Sequence, residues 1–99
     1  MNILDEAKNL INRLKNLRYH YSELYMSGLR ELSSIKKDDP DFNILRKSCT
    51  HAMGIVSCDC ERIVMHTEAL EKSVNENNES ELQEYLKVNR DDINRLFDR

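Results

Sequence analysis

A chain of 99 residues makes one small domain with a modest core and little room for an enclosed active site, which weighs against an enzyme. Two Gly, one Pro, no Trp and 33% charged residues suit long solvated helices and fit sheets or loop-rich folds poorly. The net charge of −3 is uneven: residues 1–50 hold nine Lys/Arg against seven Asp/Glu, residues 51–99 six against eleven, and neither half is basic enough to condense on nucleic-acid phosphate.

The first predicted element is a helix from about residue 3 to about residue 36. Ala7, Leu10, Leu14, Leu17, Tyr21 and Leu24 share one stripe, which shifts by one residue to Tyr25, Leu29 and Leu32. The shift suggests a stutter or bend near Gly28. Asn2 is a candidate N-cap, and Lys36 and Lys37 sit where the negative end of the helix dipole favours cations. The sharpest boundary in the chain follows at Lys37-Asp38-Asp39-Pro40, where Asp39 is placed to cap the next helix with Pro40 at its first position.

The second helix, about 40–74, carries the strongest pattern. Phe42, Leu45, Cys49, Met53, Val56, Cys60, Ile63, Thr67, Leu70 and Val74 alternate steps of three and four, the spacing of one face of a continuous helix. Such a helix is about 35 residues and roughly 50 Å long. It ends at the polar tract Asn75-Glu76-Asn77-Asn78. A third helix, about 80–98, opens with Ser80 and Gln83 in capping-box spacing and carries Leu82, Leu86, Asn89, Ile93 and Leu96. Asn89 reads either as a buried residue fixing register or as a residue at the edge of the stripe in contact with water.

The expected fold is all-α, an antiparallel three-helix bundle with two long helices and a shorter third. The third cannot cover the whole hairpin, so the end holding Tyr25, Leu29, Leu32, Phe42, Leu45 and Cys49 is expected to stand as a two-helix arm. Two helices bury only one seam, which leaves a wider band including Tyr21, Met26 and Ile44 wet. A partner-binding surface is therefore expected at Tyr21, Tyr25, Met26, Leu29, Leu32 and Phe42, for another protein or for a second copy in a homodimer.

The remaining chemistry is thin. Three cysteines exclude a complete internal disulfide set, and Cys49 and Cys60 lie about 16 Å apart along one helix, so reduced thiols in a reducing compartment are expected. Cys49, His51, Cys58, Cys60 and His66 do not converge on one point of a helix, so no metal and no cofactor is expected. No Ser/His/Asp order, phosphate loop or paired carboxylates appear, and no catalytic residue is assigned. The absence of an 18-residue apolar run and of a leader-like start predicts a cytoplasmic protein without a membrane span.

Arg13-Leu14 followed by Tyr21, Asp41-Phe42-Asn43-Ile44, Asp59-Cys60-Glu61-Arg62 and Glu84-Tyr85 together resemble tubulin-binding cofactor A. That resemblance implies a chaperone-type bundle that holds a protein along its helical faces. The chain departs from the family at Leu45-Arg46-Lys47, where the family has Lys-Lys-Gln, and at Cys58, where it has Pro. Val88-Asn89-Arg90-Asp91-Asp92-Ile93 is similar to ubiquitin-binding adaptor bundles, and His51 with Gly54 is similar to the phosphorylatable site of histidine phosphotransfer bundles, without their Lys. A further class is a small acidic phage or pathogen inhibitor, whose face of Glu68, Glu71, Glu79, Glu81, Glu84, Asp91 and Asp92 would meet a basic surface.

Overall fold

The computed structural model describes residues 2–98. Three helices follow in order: α1 (Ile3–Ser34), α2 (Phe42–Asn75) and α3 (Glu79–Phe97). They form an all-α antiparallel bundle drawn out to 58 × 19 × 19 Å, and no strand occurs among the described residues.

The start of α1 agrees with the sequence expectation and the other helix ends differ slightly from it, for local reasons. Asn2 caps α1 as expected, its Oδ1 accepting the Asp5 N–H at 2.9 Å. At the other end Ile35 turns extended, so Lys36 and Lys37 lie beyond the last turn rather than in it. Asp39 does not cap α2 at Pro40. Its carboxylate accepts the Asp41 N–H at 2.8 Å and its carbonyl the Phe42 N–H at 3.0 Å, which folds Pro40 into a turn and starts the helix at Phe42.

Between α2 and α3, Asn77 takes the left-handed conformation, φ 54°, that glycine would ordinarily supply. The Asn78 N–H then reaches back to the Ser73 carbonyl at 2.9 Å and the Asn77 N–H to that of Val74 at 3.0 Å, closing a Schellman motif. Asn78, not Ser80, caps α3. Its Oδ1 accepts the Glu81 N–H at 3.1 Å, and its amide donates to the Glu81 carboxylate at 3.0 Å.

The core lies at one end. Ala7, Ile11, Leu14 and Tyr21 of α1 meet Ile63 and Leu70 of α2 and Leu82, Leu86, Ile93 and Leu96 of α3. Outer pairs reinforce this base: Arg90 with Glu6 at 2.9 Å, Lys15 with Glu71 at 2.7 Å, and the Arg13 guanidinium 4.5 Å over the Phe97 ring. Between residues 22 and 58 no side chain is fully buried. That stretch is the two-helix arm.

The arm keeps its helices close at one point. A Cβ on Gly28 would sit 2.7 Å from the Met53 Cγ, and the Cys49 thiol donates to the Gly28 carbonyl at 3.4 Å. Gly28 therefore admits α2 against the α1 backbone, and α1 runs through it as one continuous helix.

Candidate docking groove

The seat of α3 continues beyond α3. On α1, the residues that meet α3 include Glu6, paired with Arg90, Arg13, over the Phe97 ring, and Tyr21, bonded to Leu96. Further steps of three and four along the same face give Leu24, Gly28, Glu31 and Ile35. On α2, His66 and Arg62 meet Asp92, and the same stepping backwards gives Val56, Ala52, Ser48 and Leu45. Those eight residues all line one open groove of about 830 Å³.

Nothing in the described chain fills it. Leu24 is 43% and Leu45 42% exposed, and Ile44 and Ile55, elsewhere on the arm's α2, are exposed as well. Cys49 and Met53 also contribute to the lining. The charges on the lining are Glu31 near its middle and Lys36 and Asp39 at the tip.

The groove lies about one residue step around the helix from the surface expected on sequence grounds. Tyr25, Met26 and Leu29 are exposed on the arm, but none of them lines the groove. Leu32 and Phe42 are half-buried. Tyr21 is corrected outright: it is 6% exposed, and its hydroxyl donates to the Leu96 carbonyl at 3.3 Å. The last turn of α3 reaches as far as Tyr21 and covers the phenol, so it belongs to the core and cannot meet a partner. Sequence spacing offered a signal for the groove, because Leu24 and Gly28 continue the stripe of Leu10, Leu14 and Leu17.

A polar cluster at the base joins α3 to α2. His66, fully buried, lies 2.6 Å from the Tyr85 hydroxyl through Nδ1 and 2.6 Å from Asp92 through Nε2. An ionised Asp92 only accepts, so Nε2 donates to it; in the neutral ring Nδ1 then accepts from Tyr85. Arg62 bonds the other Asp92 oxygen and reaches Asp59 at 3.2 Å. The His66 hydrogen bond, aided by Arg62, holds the Asp92 carboxyl below the usual range against the opposing effect of burial. Burial pushes the Tyr85 phenol up, and the Asp92 charge adds to it. No buried side-chain polar atom among the described residues lacks a partner. The cluster thus fixes how α3 lies on α2, with His66 sealed inside it and Asp92 and Arg62 partly exposed.

The other singled-out residues stay apart. Cys49 and Cys60 are half-buried and Cys58 is exposed; burial raises the Cys60 thiol. His51 is exposed on α2 near Gly54 and Cys58, over a shallow surface. Asn89 is half-buried and donates to the Tyr85 carbonyl of its own helix at 3.0 Å, so that bond does not set register between helices. Among the described residues no group of three or more His, Cys, Asp or Glu is placed to hold a metal ion, and no helix is long and apolar enough to cross a membrane. In comparisons with known proteins, no family model, curated protein or solved structure matches this chain.

Proposed function

We propose that the chain is a non-enzymatic protein-interaction module whose arm receives one amphipathic helical layer in line with α3. One observation carries this reading: the two faces that seat α3 run on past its end as an unfilled groove of mixed lining, with Leu24, Ile35, Leu45, Ala52, Met53 and Val56 as its apolar part. The groove's apolar residues recur at helical spacing, the arrangement by which helix-in-groove recognition places its anchors. The base, closed by its own core and polar cluster, acts as the rigid mount. A chaperone-cofactor role of the tubulin-binding kind falls within this reading, as one way a bundle holds a protein along its helices.

The test compares three immobilised proteins in extracts of the source cells: wild type, Leu45→Glu in the groove and Val88→Glu, exposed on α3 away from it. All three are expected to keep the same helical circular dichroism. A partner held by wild type and Val88→Glu and lost from Leu45→Glu supports the groove. A partner that Leu45→Glu still holds, or none held by any of the three, refutes it.

A further inference from the structure

We infer that the occupant of the groove is the arm of a second copy of this chain, docked antiparallel about a two-fold axis to make a four-helix centre between two three-helix ends. The inference rests on the receiving-groove reading and names its partner. Contact across the hairpin at Gly28 and Met53 sets the levels of the arm: Leu24 beside Val56 at the base, Gly28 beside Ala52, Glu31 beside Ser48, and Ile35 beside Leu45 at the tip.

Turned end for end, these levels complement themselves. The large apolar pair at the base of one arm meets the large apolar pair at the tip of the other, on both sides of the axis. Glu31 comes to the level of the partner's Ala52, whose side chain is small and exposed, and Ser27 on the lining offers a hydroxyl donor beside it. At the ends, Lys36 and Asp39 of one tip approach the close of the other copy's α3, where Arg95 and Asp98 supply the opposite charges. One symmetric contact therefore covers both vacant faces with helices of matching length.

The size of the contact sets its strength. From Phe42 to Cys58 the arm runs about 25 Å, and the molecule is 19 Å across. That outline corresponds to roughly 500 Å² per copy, at the low end for a specific interface. Pairing in the micromolar range is the expected consequence.

Light-scattering mass and sedimentation, measured from about 5 to about 500 μM, read this directly. Wild type should pass from the mass of one chain to that of two. Ala52→Glu, on the exposed arm and therefore compatible with folding, should stay single throughout. Glu31→Leu should pair at least about tenfold more tightly, since it removes the charge nearest the axis. A wild type that stays single, or a dimer indifferent to Ala52→Glu, overturns the inference. If the wild type stays single while Leu45→Glu still releases a partner, only self-pairing falls; if no partner is released either, the receiving groove falls with it.

Discussion

Asp92 is the residue on which the attachment of α3 to α2 turns, because its two oxygens serve a buried His66 and a half-buried Arg62 on the facing helix. Its folded pKa is lowered, so its contribution is complete above the ordinary carboxylate value near about 3.9 and is lost as pH falls through the lowered folded value. Asp92→Asn removes that charge and leaves His66 with a weaker partner. Asp92 is about a third exposed, so solvent screening keeps the expected cost at neutral pH to about 1 kcal/mol. The same variant should lose less further stability than wild type between about pH 4 and about pH 3. Urea unfolding at both ends of that range checks the two slopes, and equal slopes would remove Asp92 from the account. Little in the sequence pointed to this cluster: His66 and Asp92 sit 26 residues apart, and only the rotation of α3 on α2 brings them together.

At the scale of the element, the turn between α2 and α3 depends on one backbone conformation. Asn77 holds a positive φ that a Cβ-bearing residue without a short polar side chain resists. Asn77→Ala should therefore destabilise the protein by roughly 1–2 kcal/mol, whereas Asn77→Gly should be tolerated; thermal unfolding of the pair separates backbone strain from loss of the amide. The three helices themselves were legible because apolar residues recur every three or four positions over long stretches, and no sheet-like alternation competes. Their exact ends were not, because caps are chosen among neighbours: Asp39 bonds within its own turn, and Asn78 reaches Glu81 before Ser80 has a role. The arm could be inferred from helix lengths alone. Its functional face could not, since spacing left Tyr21 and Leu24 on one stripe and only α3's last turn, ending over Tyr21, divides core from groove.

Over the whole molecule, stability and exposure divide along the long axis. Local opening requires few buried contacts to break in the arm and many at the base. Amide exchange on dilute protein, where the arms are single, should therefore run at least about tenfold faster over residues 22–34 and 42–58 than over residues 63–70 and 82–96. Uniform protection along both long helices would mean that the arm is as well held as the base.

The absence of any sealed side chain between residues 22 and 58 has an architectural corollary. Residues 22–58 behave as a spacer whose span is independent of what anchors it. Deleting or adding matched seven-residue blocks on either side of the Pro40 bend would move the tip by about 10 Å and leave the interior untouched. Reach, in such a scaffold, can be rescaled without redesigning the fold.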